Sequence, residues 1–282
     1  MGSASKVLNN FPEAFPKRIA ICADDFGLAA GIDEGILALA RLGHLSAVSC
    51  LTPGTALPYH SAALAQLPVD LGLHLNFTES LVADQLHLPL ARLIAACYTR
   101  RLPPLLVAST IAAQFDAFEA NFGRPPAFID GHQHVHQLPV IRELLLESIG
   151  RRYPGRVIWL RSTQTARNST VARADQRKAR LIALLGARAL RRLTTAAGLP
   201  MNRHLLGVYR FSASCEQYRK LLQAWFADAG SGDLLMCHPA VSAPAGDPIG
   251  RQRMREFAVL SDKHFPTWID ASGLTVSRLL SV

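Results

Sequence analysis

The sequence predicts an α/β fold, a parallel β/α barrel that is distorted or incomplete and built from seven or eight strands. Three observations predict it: short apolar runs alternate with longer stretches of helical period, seven or eight such units follow in succession, and no internal repeat divides them. An open doubly wound sheet would show the same alternation and stands as the second option. A chain of 282 residues, 49% hydrophobic and 18% charged, can bury one large core. Residues 1–16 read as an N-terminal extension and 17–282 as one catalytic barrel domain.

Each element has its own signature. "RIAICA" is a buried strand, and "GIDEGILALARLG" sets Ile32, Ile36, Leu37 and Leu39 at helical spacing before stopping at Gly43. "LSAVSCL" is a second strand, followed by a helix around "YHSAALAQL". In "VDLGLHLNF" Val69, Leu71, Leu73 and Leu75 alternate with Asp70, Gly72, His74 and Asn76, the period of a third strand. Residues 77–107, broken by Pro89, Pro103 and Pro104, read as an inserted lid. A helix through "IAAQFDAFEANFG" leads to a strand at "PAFIDGHQH", a helix at "LPVIRELLLESIG" and a strand at "RVIWLRS". The basic segment 171–197 is expected to be helical, with Leu181, Leu184, Leu185 and Ala189 on one face. A short strand at "HLLGVYRF", a helix at "CEQYRKLLQAWFAD", a strand at "GDLLMCHP" and a terminal "FPTWID" strand with its helix complete the pattern.

Composition narrows the function classes. No apolar stretch approaches the roughly 20 residues that span a bilayer, and the first residues lack the apolar core of a secretory signal. Five scattered cysteines without a C-x-x-C pair suggest reduced core thiols, and the expected location is the cytoplasm. The net charge of +9 is concentrated between Arg151 and Arg203, where thirteen basic residues face one acid, Asp175. Such a segment is a solvated helix face or a docking surface for an anionic membrane, which would make the protein peripheral at the inner membrane surface. Nucleic acid is not an expected partner, since Tyr153 and Trp159 are the only aromatics there.

In a β/α barrel the side chains at the carboxyl ends of the strands converge on one mouth. That rule gathers Asp24 and Asp25 from the first strand, His74 from the third, Asp130, His132, His134 and His136 from the next, Arg161 after "VIWL" and His238 in "LLMCHPA". Taken singly, an acid pair caps a helix and a strand histidine packs in a core. Together, two imidazoles and a carboxylate from different strands make a facial ligand set with positions left for water and substrate. A second, adjacent carboxylate is then placed to take a proton from metal-bound water, and the cation relieves the repulsion between the two acids. The three alternating histidines of "DGHQHVH" would share one side of a strand. Arg161 would pair with the ionised Asp24, bind a substrate anion, or form a surface ion pair.

"ADDFG", "GLHLN", "DGHQHVH" and "MCHPA", in that order, resemble the motifs of the YdjC-type carbohydrate deacetylases, which include chitooligosaccharide deacetylases and hopanoid-associated relatives. The resemblance spans about residues 17–270 and implies a β/α barrel that hydrolyses an N-acetyl group on an amino sugar, carried by an oligosaccharide or a lipid-linked glycan. Carried over motif by motif, it implies that Asp25, His74 and His132 bind one divalent ion, with Asp24 as general base and His238 as general acid or oxyanion partner. Asp130, Arg161, His134 and His136 would support the site or bind substrate. Mg²⁺ or Zn²⁺, and also Mn²⁺, suit such donors without thiolate help. A homo-oligomer is compatible with the sequence.

Two rival readings fit parts of the sequence. "HQH" and "HVH" also satisfy the H-x-H pattern of amidohydrolase and phosphoesterase barrels, although there the motif usually opens the chain. A non-enzymatic basic protein that docks on a membrane surface or nucleic acid would account for residues 151–203 alone.

Overall fold

In a computed structural model, which describes residues 16–83, 85–166 and 169–278, the chain opens on β1 (Lys17–Phe26), α1 (Ala30–Arg41), β2 (Ala47–Cys50) and α2 (Leu57–Ala65). Next come β3 (Asp70–Leu75), α3 (Leu90–Tyr98), α4 (Pro104–Phe122), β4 (Phe128–Gly131) and α5 (Ile141–Arg152). Then follow β5 (Trp159–Leu160), α6 (Arg173–Leu184), α7 (Ala187–Ala196), β6 (Leu205–Leu206), α8 (Cys215–Asp228), β7 (Leu234–Cys237), α9 (Gly250–Leu260), α10 (Phe265–Ala271) and β8 (Leu274–Val276). Apart from Pro16, the expected N-terminal extension lies outside the described residues.

All the strand pairs are parallel, in the order β5-β4-β3-β2-β1-β7-β6, and β8 pairs with Lys17–Ile19 at the start of β1. The two edges approach each other without a regular ladder. Leu160 N–H donates to the Pro200 carbonyl (2.9 Å) and Leu205 N–H to that of Gln164 (2.7 Å), so the sheet curls into a distorted, incomplete barrel.

Alternation along each strand decides which side chains reach the interior. Ala20 and Cys22 of β1, Ala47 of β2, Phe128 of β4, Trp159 of β5 and Leu234 and Met236 of β7 pack inside, while Ile19, Ile21, Val48, Leu71, Leu73, Ile129 and Leu235 face the helices. Phe128 and Trp159 stack at 4.1 Å between centroids. Gly72 makes room for that stack, because a Cβ there would lie 2.3 Å from the Phe128 ring. Continuing the inward rows by two residues gives Asp24, Ser49, His74, Asp130, Arg161 and His238. The register confirms the level, with His74 opposite Asp130.

Four expectations need correction. "FPTWID" is the helix α10, not a strand: Pro266 sits in its first turn, and Phe265 and Ile269, four apart, are its buried residues. α4 begins at Pro104, inside the segment read as a lid, because proline is favoured at the start of a helix. The basic segment is two helices broken at Gly186 (φ 148°), so no single face is shared: Ala179, Ala187 and Leu190 are buried, whereas Leu181 and Leu184 are 61% and 77% exposed. Finally, β4 ends at Gly131, and His132–Gln137 form a tight turn in which Gln133 (φ 52°) and His134 (φ 61°) are left-handed. The three histidines therefore do not share a strand face.

Candidate active site

The inward residues at the strand ends form one connected polar layer. Asp24, 1% exposed, accepts two hydrogen bonds from Arg161, Nη1 to Oδ2 and Nη2 to Oδ1, each 2.6 Å. Arg161 is itself fully buried and also pairs with Asp130 Oδ2 at 2.5 Å, so it is no surface ion pair. Asp130 Oδ1 in turn accepts from His74 Nδ1 (2.7 Å) and from the Ser49 hydroxyl. That bond fixes the His74 ring so that Nε2 points at Asp25 Oδ1, 3.3 Å away.

Asp25 leaves the strand pattern. It has φ 71°, a left-handed conformation that Asp tolerates better than most residues and that turns its side chain out of register with Asp24. Its Oδ1 faces both His74 and His132, whose Nδ1 lies 2.9 Å away, and its Oδ2 accepts from Arg253 Nη2 at 2.7 Å. Neither Arg253 nor Glu79, which lies 3.4 Å from His132 Nε2, figured among the candidates. The two adjacent acids thus each have a guanidinium of their own, which relieves their repulsion without any ion.

Asp25, His74 and His132 each offer a ligand atom, all within 4.8 Å of one another. The donor set, one carboxylate and two imidazoles with a carboxylate behind His74, is one that divalent zinc or manganese binds. Electrostatics point the same way. Burial works against charging His74, yet Asp130 and Asp25 raise it to about 10, and Asp25 with Glu79 raises His132 despite burial. Burial alone would push the Asp25 carboxyl up, but Arg253 and His132 hold it well below the usual range. The surrounding carboxylates therefore favour positive charge where the three donors meet, as protons on the rings or as a cation that displaces them. Cys22, Asp24 and Asp130 also cluster within 4.8 Å, but Arg161 occupies their centre.

The other histidines have different surroundings. His136 Nε2 bonds the Arg161 carbonyl (2.9 Å), and burial pushes it down to about 4. Burial, with Arg161 nearby, also lowers His134 well below its ordinary value. Of the "DGHQHVH" histidines only His132 joins the three-donor cluster, so neither H-x-H pair forms there. His238 Nε2 stands 3.9 Å from Asp24 Oδ2, beyond hydrogen-bond reach, and burial pushes the ring down to about 4. Its main-chain N–H donates to Glu256 (2.6 Å), which also accepts from Tyr209 (2.5 Å).

Asp24, Asp25, His74, Glu79, His132, His238 and Arg253 line a cavity of about 770 Å³. Its walls are largely apolar: Leu90 and Ile94 of α3, Leu181, Ile182 and Leu185 from the end of α6, and Phe211. α3 and Glu79 belong to the segment read as a lid. Of the basic segment, Lys178 is drawn inward, donating to the Tyr209 carbonyl (2.6 Å) over the Phe211 ring, and Arg191 ties Ser162 to Asn202. Arg173, Arg177, Arg180, Arg188 and Arg192 are exposed.

With this geometry in view, the family model described as YdjC-like protein matches residues 18–271. The chain belongs to the YdjC-like family. A mouse protein named carbohydrate deacetylase is 26% identical, across 94% of this chain and 95% of its own length. A chitooligosaccharide deacetylase of Yersinia enterocolitica is 35% identical across 46% of this chain and 54% of its own. Among solved structures, a protein of Enterococcus faecalis V583 described as a putative cellobiose-phosphate cleavage protein shares the fold, with a TM-score of 0.69 at 19% identity over 94% of this chain and 98% of its own. Among the described residues no helix is long and apolar enough to cross a membrane.

Proposed function

We propose that this YdjC-like protein is a metal-dependent hydrolase that removes an N-acetyl group from an amino sugar. The observation that carries the reading is the convergence of Asp25, His74 and His132 beside an Asp24 gripped by Arg161, at the base of a large cavity. The deacetylase names of the relatives agree with it. When bound, a divalent ion supplies Lewis acidity toward the amide carbonyl. Asp24 takes a proton from the attacking water; each of its oxygens keeps a lone pair beyond its bond to Arg161. That proton is the one the departing amine needs. His238, neutral because of its burial, donates a hydrogen bond to the oxygen that gains negative charge, so of its two expected roles the oxyanion partner fits better than the acid. The absence of an H-x-H ligand pair disfavours the amidohydrolase and phosphoesterase readings.

A finer reading of the substrate, a lipid-linked glycan met at an anionic membrane surface from the cytoplasmic side, is favoured by one observation. Leu181 and Leu184 are exposed beside Arg177 and Arg180, and Leu181 belongs to the cavity wall. An apolar rim flanked by cations suits an amphiphile better than a soluble chitin fragment. Acetate release, screened over N-acetylated oligosaccharides and glycolipids with Zn²⁺, Mg²⁺ or Mn²⁺ supplied, tests both levels. Release from at least one of these classes is expected; none from any overturns the deacetylase reading.

A further inference from the structure

The two neighbouring acids are served by arginine in different ways. Arg161 covers both oxygens of Asp24, whereas Arg253 takes only Oδ2 of Asp25 and leaves Oδ1 facing His74 and His132. Arg253 comes from α9, and its side chain is 3% exposed. Its Nε donates to Asp247 Oδ2 at 2.7 Å, and Asp247 Oδ1 accepts the Ile249 N–H at the start of the same helix (2.9 Å). The Arg253 carbonyl accepts the Ala240 N–H (3.2 Å), two residues past His238, and Glu256 one turn on holds the His238 N–H. One helix therefore references the Asp25 carboxylate and the His238 main chain to each other.

We propose that Arg253 is a positioning residue that restricts Asp25 to a single oxygen toward a divalent ion, and that Asp247 acts through Arg253 by holding it in that pose. This rests on the metal reading given above. Simple charge neutralisation of Asp25 is the competing explanation, and geometry separates the two. A guanidinium presents its donors in a rigid planar fork that can serve Asp25 and Asp247 at once, whereas an ammonium is a point charge that cannot fix both directions.

The test is Arg253→Lys, which keeps the charge, alongside Asp247→Asn and the double variant. All are full-length, stripped of metal and titrated calorimetrically with Zn²⁺ and with Mn²⁺; the visible absorption of the Co²⁺-loaded proteins is recorded in parallel. Arg253→Lys should weaken binding by about 10-fold or more, and the Co²⁺ spectrum should change as the second Asp25 oxygen is released. Asp247→Asn should shift both readouts in the same direction by less, and should add nothing in the Arg253→Lys background. Affinity within about 2-fold of the parent and an unaltered Co²⁺ spectrum in Arg253→Lys would overturn the proposal while leaving a metal-dependent hydrolase standing. An additive effect of Asp247→Asn would overturn the relay. Should Arg253→Lys fail to fold, the Asp247→Asn readouts decide alone, and no change in either rejects the proposal. A parent chain that takes up none of these ions overturns the metal reading and this proposal with it.

Discussion

Arg161 spans Asp24 and Asp130, giving 2.6 Å bonds to both oxygens of the first and a 2.5 Å contact to the second. All three groups are buried to within about 1% of full exclusion. Removing the cation strands two buried carboxylates. Arg161→Met should therefore cost about 3–5 kcal/mol of stability, read from chemical denaturation. A variant as stable as the parent would show that the bridge is dispensable.

The two acids should separate by role. Asp24→Asn is expected to lower the deacetylation rate on the order of 100-fold or more while leaving ion affinity close to that of the parent. Asp25→Asn should weaken ion binding itself. Equal loss of ion by both variants would contradict the division of labour.

Glu256 gives a pH-dependent prediction. Burial raises its carboxyl from 4.5 to about 7, against the hydrogen bonds from His238 N–H and Tyr209 that work to lower it. A folded-state value above the unfolded one means that the folded protein holds the extra proton across that window. The stability this contributes is whole below pH 4.5 and is lost as pH climbs to about 7. Glu256→Gln removes the dependence. The difference in thermal midpoint, variant minus parent, should therefore rise steadily across the window and flatten above it. A pH-independent difference would show that Glu256 does not titrate there.

The exposed leucines bear on the substrate. The double variant Leu181→Asp, Leu184→Asp should lower kcat/KM on an alkyl-tailed N-acetylglucosaminide by about 10-fold, the scale of a lost buried leucine contact, and leave a soluble chitobiose little changed. Equal effects on both substrates would reject the lipid-linked reading.

Much of this site could be read from the chain. Period-two alternation placed His74 correctly on β3, and "ICADD" put two acids at the end of a buried strand, where β1 delivers them. Most of what the pattern missed depends on contacts distant in the chain. α9 reads "GRQRMREFAVL", and its buried residues include Gln252, Arg253 and Glu256, so the helix buries the polar face that a hydrophobic pattern assigns to solvent. The bonds that tie Arg253, Glu256 and Ser49 to the site run to Asp25, His238 and Asp130, each more than fifteen residues away in the chain. Similarly, nothing local announced the left-handed Gln133 and His134 that scatter the three histidines. "FPTWID" misled because aromatic and β-branched residues suit strands as well as buried helices, and proline near its start was the stronger signal.

On the proposed function, an ion held by Asp25, His74 and His132 is required to hydrolyse an N-acetyl amino sugar. The most direct measurement is the rate of acetate release from such a sugar by chelator-stripped protein, before and after one equivalent of Zn²⁺ or Mn²⁺. Stripping should abolish release, the ion should restore it, and His74→Ala protein should not be restored. Full activity in the stripped protein would contradict that requirement.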